Sequence, residues 1–434
     1  MTAATAPARA GVLAERGFRL VFAGQALSTI GDAAATIAVA FAVLEIGGSP
    51  TALGVVLVAR YLPLAAFLLI GGVVADRVRR RRLMLTSDVL RAVTQGVLAA
   101  LLLSGTAQLW QIILLQVVYG TAEAFFNPAL AGLLPQVVDA PRLQQANALL
   151  RMTFDVSVIV GPGLGAILVA GFGAGGAVAV DAATFAASAL LLARLRPAGD
   201  APGDAPPMRL VADLREGWAE IRSRSWLWIS IGNFTLFAAL AMPAILVLGP
   251  ELARRELGGI GTWSILTGAF GVGALAGSIA SLRLRFRRPA AAVAVLLVFA
   301  AARPAAFVSG LGLPLIAAYS FAAGAAMSTA SILWMAMLQQ HIPAQSLSRV
   351  DSMDSFGTFL LTPAGYLLAG PLAATIGLHT GMLLLAALPL LLGLATLASR
   401  DVRRLAWVQP PKRESERDRK RRLGTAEPLP DPSG

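Results

Sequence analysis

The chain has 434 residues, of which 56% are hydrophobic and 14% are charged, and its mean hydropathy is +0.71. Soluble domains carry about 25% charged residues, so this composition excludes an ordinary soluble protein and predicts a polytopic membrane protein. The absence of cysteine excludes disulfides, thiolate catalysis and cysteine metal sites. The net charge of +12 is concentrated in short connections and the C-terminal stretch, where membrane orientation and lipid contact explain it without nucleic acid.

Twelve apolar segments follow one another, each near the ~20 residues that cross ~30 Å of hydrocarbon. The first follows a polar, Ala-rich stretch that ends at Gly17, and it is too long for the apolar part of a cleavable signal. We therefore predict an all-α membrane protein with twelve transmembrane helices. The predicted spans, numbered 1 to 12, are 18–46, 51–74, 83–104, 109–129, 149–171, 174–194, 226–249, 262–282, 290–309, 312–336, 351–375 and 378–398.

The connections between these spans alternate in character. Those after odd-numbered spans are short and nearly uncharged, apart from a balanced set of charges after span 7, whereas those after even-numbered spans hold the arginine clusters. Positively charged loops stay in the cytoplasm, so we predict that both termini are cytoplasmic. The scarcity of lysine beside arginine, with the high alanine content, indicates a GC-rich bacterial genome. We expect an integral protein of a bacterial cytoplasmic membrane.

The domain organisation follows from one long interior connection. Its first part is rich in proline and glycine, as in a flexible linker, and Leu210 to Arg222 then show the amphipathic pattern of a helix on the membrane surface. The tail is polar and strongly basic, which predicts disorder and contact with anionic lipid. The predicted parts are a six-helix bundle at 1–194, the cytoplasmic linker at 195–225, a second six-helix bundle at 226–399 and the tail at 400–434.

The two halves resemble each other in sequence. The stretch 72–82, with five arginines in six positions, has a weaker counterpart at 277–288, about 205 residues later. A second alignment covers span 5 and span 11 at a constant offset of 204, and it pairs Gly173 with Gly377. We interpret this as a parallel duplication. Parallel six-span repeats place a substrate path between the halves.

Two motifs resemble those of a known family. Gly72-x-x-x-Asp76-Arg77-x-Arg79-Arg80-Arg81 resembles the loop signature of the major facilitator superfamily, and Gly161-Pro162-Gly-Leu-Gly165 on span 5 resembles its Gly-Pro motif of antiporters. The resemblance covers essentially the whole chain. The stretches 119–128 and 149–151 are similar to a subgroup that includes enterobactin and macrolide exporters.

This chain departs from the family pattern at a few positions. Arg79 occupies the place of a glycine in the loop signature, and Ser281-Leu282 replace Asp-Arg in the second copy. Ala166 replaces the last glycine of the Gly-Pro motif. The arginine that the superfamily places on span 4 is Gln116 here, so no proton role is expected for an arginine at that position.

The resemblance implies a transporter that works by alternating access, and we expect proton-coupled efflux of small organic molecules such as drugs or siderophores. The alternative is an importer or uniporter of a small metabolite. An enzyme is not expected, because the chain has two histidines, no phosphate-binding loop and no paired catalytic carboxylates. We expect the substrate, protons and membrane lipid as partners, a monomer, no nucleic acid, and neither a cofactor nor a bound metal.

Charges inside the spans are the candidates for proton coupling, because burial and water access can switch their ionisation. Asp32 lies 14 residues into span 1, about 21 Å from its start at 1.5 Å per residue. Arg60 lies about nine residues into span 2 from the other side, so the two fall at a similar depth and can pair. The pair is either a static tie between helices or a coupling site; the sequence leaves both open.

Four other charges lie within spans. Glu123 on span 4 is a candidate for proton or substrate binding by resemblance, and the alternative is a bond to a neighbouring helix or to Asn127. By counting, Glu123 and Asp155 of span 5 lie in the inner half of the membrane. Asp155 is a further candidate, although an i,i+4 pair with Arg151 explains it more simply. For Asp181 and Arg303, the superfamily places their spans at the periphery, which favours a structural or snorkelling role.

The remaining predictions concern gating and packing. Resemblance implies that Asp76 caps the start of span 11 when the inner side is closed, with Gly72, Arg77 and Arg80 in the same loop. An anion at a helix N-terminus is worth about 0.3–1 kcal/mol, and up to ~2 kcal/mol when partly buried, which suits a reversible gate. The alternative is that this loop only sets orientation. The glycines of span 5 allow close helix contacts, and Pro162 is expected to kink that span.

Overall fold

The computed structural model describes residues 11–195, 215, 218–281, 283–284 and 286–407. Most of the predicted surface helix at 210–222 therefore lies outside the described residues, as does 408–434. Within the helices, some side chains also lie outside the description, namely those at 68–73, 75–77, 140, 144, 155, 159, 344–345, 347–349, 351–352, 355–356 and 359.

The first half consists of long helices that run in alternate directions. Spans 1 to 4 are Arg16–Glu45, Pro50–Arg77, Arg80–Leu103 and Leu109–Val137, and spans 5 and 6 are the two arms of Leu143–Ala193. The hydroxyl of Ser49 caps span 2 by accepting the backbone N–H of Ala52 at 3.2 Å, and Pro50 occupies the first turn. Span 4 continues to Val137, eight residues beyond the predicted apolar segment, and Leu133 and Leu134 of this extension are buried in the core.

The second half repeats this arrangement. Span 7 begins as Ser225–Leu236, passes through two π-helical turns on either side of Pro243, and ends as Gly249–Glu256. Pro243 lacks a backbone N–H, and the lost helical hydrogen bond explains the wider turns. The other spans are Ile260–Ser281, Pro289–Ala301 continued by Arg303–Phe307, Leu313–His341, Ala344–Ile376 and Leu378–Ala398.

Ten helical stretches of the described residues are long and apolar enough to cross a membrane. One of them, Val160–Ala193, contains the bend between spans 5 and 6 and therefore accounts for two crossings. The shorter apolar stretch Leu360–Ile376 belongs to span 11. Large apolar side chains such as Leu103, Trp110 and Phe172 point outward and are more than half exposed, as expected for a surface that faces lipid. The twelve predicted spans thus correspond to helices.

Gly173 and Gly377 turn the chain at equivalent points of the two halves. Gly173 separates the arms of Leu143–Ala193 with φ 71° and ψ 172°, and Gly377 separates spans 11 and 12 with φ 88° and ψ 155°. Residues with a side chain rarely adopt this backbone conformation, so glycine is required at both turns. The offset of 204 that the repeat predicts therefore has a direct structural counterpart.

The packing of the two halves differs between the two ends of the molecule. We call the end where spans 1 and 7 begin the terminal side, and the opposite end the loop side. On the loop side, residues of both halves form one core, which includes Phe41, Val56, Leu248, Trp263 and Tyr366. On the terminal side, the described core residues form separate clusters for the second half and for the first half. The halves are therefore joined mainly on the loop side.

Ordered structure continues beyond span 12. Arg400–Arg404 form a short helix, Val402 is buried in the core of the second half, and the indole N–H of Trp407 donates to the Phe286 carbonyl at 2.7 Å. The sequence predicts a disordered tail from Arg400, but the chain is folded against the second half as far as Trp407. Apolar Val402 and Trp407 within the basic stretch are the reason.

Candidate functional site

Buried Arg60 joins two partly buried carboxylates in the middle of the first half. Its Nη2 donates to Asp32 Oδ2 at 2.6 Å and to Glu123 Oε2 at 3.0 Å, and its Nε donates to the same Glu123 oxygen at 3.2 Å. The structure therefore brings together Asp32 and Arg60 as the sequence predicts. Glu123, which counting placed in the inner half, binds the same arginine instead of Asn127, because the helices are longer than their apolar segments and arginine has a long reach.

Tyr119 completes this group of side chains, which we call the Arg60 cluster: Asp32, Arg60, Tyr119 and Glu123. The Tyr119 hydroxyl donates to Asp32 Oδ1 at 2.6 Å, so both oxygens of Asp32 accept hydrogen bonds. The guanidinium of Arg60 lies 4.6 Å from the centroid of the Tyr119 ring. Cation–π contact of this kind adds about 0.5–2 kcal/mol. In the sequence, Tyr119 stands out only as part of a family motif, which does not reveal this role.

The members of the Arg60 cluster differ in exposure. The side chain of Arg60 is 7% exposed, whereas those of Asp32 and Glu123 are 20% and 18% exposed. The arginine is thus enclosed by protein, and each carboxylate has an edge open to the space beside spans 1 and 4. Asn127, one turn from Glu123 on span 4, is exposed on the terminal side of the cluster. A polar side chain that is exposed within a span indicates a water-accessible surface.

Two close helix contacts set the position of the Arg60 cluster. A side chain on Gly120 would come within 2.0 Å of the Arg60 carbonyl oxygen, so glycine is needed for span 4 to lie against span 2. Gly165 of span 5 similarly contacts the backbone of Ala34, two residues beyond Asp32, where an added Cβ would meet the carbonyl oxygen at 2.2 Å. The antiporter-like motif of Gly161, Pro162 and Gly165 thus holds span 1 at the level of Asp32. Within Leu143–Ala193 the backbone leaves helical φ/ψ at Gly173, and the kink expected at Pro162 stays a prediction.

A second group of buried charges lies behind the first. Asp88 and Arg91 of span 3 form an ion pair of 2.5 Å, and Ser188 of span 6 donates to Asp88 Oδ2 at 2.6 Å. Arg91 also lies against the rings of Phe126 and Phe185. This pair is absent from the candidates named above, although opposite charges three residues apart within a predicted span are a sufficient signal.

The arginine turn between spans 2 and 3 binds the ends of other helices. Arg80 donates to the Gly132 carbonyl of span 4 at 2.7 Å. Arg81 donates to the Leu192 carbonyl at 2.9 Å and to the Ala193 carbonyl at 2.5 Å, at the last turn of span 6. Cations stabilise helix C-termini, so these arginines tie three helices together in addition to carrying charge. The side chains of Arg77 and Asp76, like position 72, lie outside the described residues.

The other candidates have different outcomes. The side chain of Asp155 lies outside the described residues, so its pairing stays a prediction. Arg303 does not snorkel: it is 5% exposed and lies against the rings of Phe270 and Phe307, at 4.3 and 5.1 Å from their centroids. Asp181 is 1% exposed and accepts the amide N–H of Gln95 at 2.7 Å. Both are interior residues of their bundles.

Comparison with known proteins agrees with this architecture. The family model described as a transmembrane secretion effector of the major facilitator type matches residues 3–413. The chain belongs to this family. It is 28% identical over 397 residues to the multidrug efflux pump Tap of Mycolicibacterium fortuitum, covering 88% of this chain and 95% of that protein. It is 25% identical over 401 residues to macrolide efflux protein A of Streptococcus pyogenes, covering 89% and 97%.

Solved structures confirm the major facilitator fold. The nucleoside transporter NupG aligns with a TM-score of 0.68 at 13% identity, covering 88% of this chain and 99% of that one. A bacterial homologue of the iron transporter ferroportin in an inward-facing state aligns with a TM-score of 0.66 at 16% identity, covering 88% and 99%. This major facilitator protein is therefore an integral membrane transporter of two six-helix bundles, and not an enzyme.

Proposed function

We propose that this transporter exports small organic molecules in exchange for protons, and that the Arg60 cluster carries the exchanged proton. The observation that supports the proposal is the sharing of one guanidinium by two carboxylates, Asp32 and Glu123. With both carboxylates ionised the three groups carry a net charge of −1, and with one protonated they are neutral. Desolvation of an ion costs several kcal/mol in a protein interior, so the neutral form suits the closed site and the charged form suits a site open to water.

The hydrogen bonds indicate which carboxylate takes the proton. Asp32 receives a donor on each oxygen, from Arg60 and from Tyr119, and donors favour the ionised form. Both bonds to Glu123 end on Oε2, and among the described residues no group donates to its Oε1. Glu123 is therefore the proton carrier, with the proton on Oε1, and Asp32 keeps Arg60 in place. The partly exposed edge of Glu123 gives the proton a route to water.

Alternating access connects the proton to the substrate. The described cores join the halves on the loop side and are separate on the terminal side, which supports a state whose central space faces the terminal side. With both termini in the cytoplasm of a bacterium, as the charge pattern predicts, this state faces inward. Substrate then enters from the cytoplasm as Glu123 releases its proton, and Glu123 is protonated again from outside after the halves rock. The bundles at 1–194 and 226–399 are the moving bodies in this proposal.

The efflux relatives support the direction of transport. Tap is named a multidrug efflux pump, and the streptococcal relative is named a macrolide efflux protein. Both alignments span nearly the full length of this chain. We therefore place drug-like or comparable organic molecules, rather than ions or sugars, as the substrate class of this transporter.

Dye accumulation in a pump-deficient bacterial host tests the proposal. Cells that express the protein should accumulate less of a fluorescent amphiphilic dye than control cells, and a proton uncoupler should abolish the difference. Glu123→Gln should remove the activity because the side chain can no longer lose a proton. Membrane amounts of each variant are measured by immunoblot.

The outcomes separate the alternatives. Greater dye accumulation with the protein would indicate an importer, and a difference that survives the uncoupler would contradict proton coupling. Full activity of Glu123→Gln would contradict the assignment of the carrier. Asp88→Glu is the matched control, since Asp88 is a buried acid paired with an arginine outside the Arg60 cluster, and this variant keeps its charge.

A further inference from the structure

Asp181 is a buried carboxyl group that the proposed exchange does not use. It lies on span 6, is 1% exposed, and packs against span 1 at Gly31. A Cβ added to Gly31 would approach Asp181 Oδ1 to 2.8 Å and Thr184 Oγ1 to 2.4 Å, so the absence of a side chain at Gly31 makes room for both. Asp181 therefore lies against Gly31, the residue that precedes Asp32.

Asp181 differs from the other acids inside the first half in its partners. Asp32 and Glu123 share Arg60, and Asp88 is paired with Arg91. The hydrogen bonds of the Asp181 carboxyl group, among the described residues, are to two uncharged side chains, the Gln95 amide and the Thr184 hydroxyl. An ionised carboxylate buried without a cation carries a desolvation penalty of several kcal/mol, and such a group takes up a proton instead.

The hydrogen-bond pattern places this proton on one atom. Gln95 Nε2 donates to Asp181 Oδ2 at 2.7 Å. The single hydroxyl proton of Thr184 is used toward the Asp181 backbone carbonyl, at 2.7 Å. Thr184 Oγ1 is then left as an acceptor, 3.4 Å from Asp181 Oδ1. A proton on Asp181 Oδ1 can be donated to Thr184 Oγ1. Both carboxyl oxygens of Asp181 and the Thr184 hydroxyl then have hydrogen-bond partners.

We propose that Asp181 is a proton-binding site that holds its proton throughout transport, as a neutral carboxylic acid placed beside Asp32. The charged groups near it are already paired: Asp32 of span 1 is bound to Arg60, and Arg91 of span 3 is bound to Asp88. A neutral Asp181 adds no negative charge next to Asp32. Asp32 can therefore remain ionised while the exchanged proton moves on and off Glu123, so this inference rests on the proposed function.

Infrared spectroscopy of the purified protein in lipid measures the protonation directly. The carboxylic acid C=O band of the wild-type protein at neutral pH should contain a component that is lost in Asp181→Asn and retained in Asp88→Asn. An unchanged band in Asp181→Asn would overturn the proposal. Thr184→Val, which removes the acceptor of the acid proton, should shift that component without removing it. If Asp181→Asn does not fold, the absence of a shift in Thr184→Val overturns the proposal instead.

Transport adds a second readout. Asparagine resembles a neutral aspartic acid in shape, so Asp181→Asn should retain dye efflux, whereas Asp88→Asn should lose it because Arg91 is left unpaired. A folded Asp181→Asn protein without efflux would contradict a permanently held proton. The infrared result does not depend on proton-driven export. Failure of the proposed function would appear instead as efflux that survives the uncoupler, or as full efflux activity of Glu123→Gln.

Discussion

Tyr61 of span 2 and Tyr366 of span 11 stack across the boundary between the two halves, with ring centroids 5.7 Å apart. Tyr61 follows Arg60, whose guanidinium lies 5.4 Å from the Tyr61 ring. The second half thus touches the Arg60 cluster through two aromatic rings. A change of charge in the cluster and a change in the contact between the halves can therefore influence each other through this pair.

Removing the Tyr366 ring should shift the transporter away from the state closed on the loop side. An aromatic pair contributes about 0.5–1.5 kcal/mol beyond buried area, so Tyr366→Ala should change the ratio of the two states by about two- to tenfold. The chain has no cysteine, so spin labels at Thr106→Cys and Leu311→Cys, both in exposed loop-side connections, can report the separation of the halves.

Tyr366→Phe is the control for that measurement, because it keeps the ring and removes the hydroxyl. It should give the wild-type distance distribution. If Tyr366→Ala also gives the wild-type distribution, the stacked pair does not stabilise the closed loop side.

A methyl group on Gly120 should disrupt the Arg60 cluster. The added Cβ would meet the Arg60 carbonyl oxygen at 2.0 Å, so span 4 must move away and take Tyr119 and Glu123 with it. Overpacking of this kind costs about 1–3 kcal/mol. We expect Gly120→Ala to lower the thermal unfolding temperature of the purified protein in detergent and to abolish dye efflux.

Gly96→Ala is the matched control on span 3. Nothing lies within 4 Å of a Cβ at Gly96, and glycine in a helix is about 0.5–1 kcal/mol less favourable than alanine. This variant should be unchanged or slightly more stable. Equal behaviour of the two variants would show that the contact between Gly120 and Arg60 is not tight.

Loss of the Arg81 side chain should loosen the terminal side of the first half. Its guanidinium binds the Leu192 and Ala193 carbonyls, and a cation at a helix C-terminus contributes about 0.3–1 kcal/mol, and up to ~2 kcal/mol when partly buried. Arg81→Ala should therefore unfold at a lower temperature and show faster amide hydrogen exchange at the end of span 6. Arg82→Ala removes the same charge from an exposed neighbour, and a loss of equal size there would assign the effect to net charge.

Neutralising Asp76 should impair transport without affecting membrane insertion. The resemblance of the loop to the superfamily signature implies that this carboxylate caps a helix N-terminus in the state closed on the cytoplasmic side, an interaction of about 0.3–2 kcal/mol. The dye-efflux rate of Asp76→Asn, normalised to protein in the membrane, checks this. Full activity would show that the loop serves orientation alone.

Replacing Arg303 by methionine should leave the protein as stable as the wild type or make it more stable. Arg303 is buried between Phe270 and Phe307 and donates to the Leu266 carbonyl at 3.4 Å. Exchange of buried charges for apolar residues of similar volume is often neutral or stabilising, by about 1–4 kcal/mol. Thermal unfolding measures this, and a marked loss of stability in Arg303→Met would reveal a stronger role for the charge.

Much of the architecture could be predicted from the sequence because hydrocarbon imposes a simple rule: a helix must carry about 20 apolar residues to cross. The number of spans, the arginine turn and the paired turns at Gly173 and Gly377 all follow from such local patterns. The pairing of Asp32 with Arg60 was also accessible, because counting residues along two helices estimates their depth.

The rotation of each helix about its axis cannot be predicted by counting residues along the helix. Depth along a helix does not say which face meets a neighbour, so the sequence does not reveal that Glu123 reaches Arg60 or that Asp181 faces the interior of its bundle. The close contacts at Gly31, Gly120 and Gly165 decide these rotations, and a glycine in a sequence does not reveal which backbone it will touch.

The sequence by itself determined the membrane class, the repeat and the family, since each depends on residue types at set spacings along one chain. Only the tertiary structure decided that one arginine serves two carboxylates while the Asp181 carboxyl group, among the described residues, bonds neutral partners. The physical reason is that the free energy of a buried charge depends on the few atoms within hydrogen-bond distance. Those atoms come from helices far apart in the sequence.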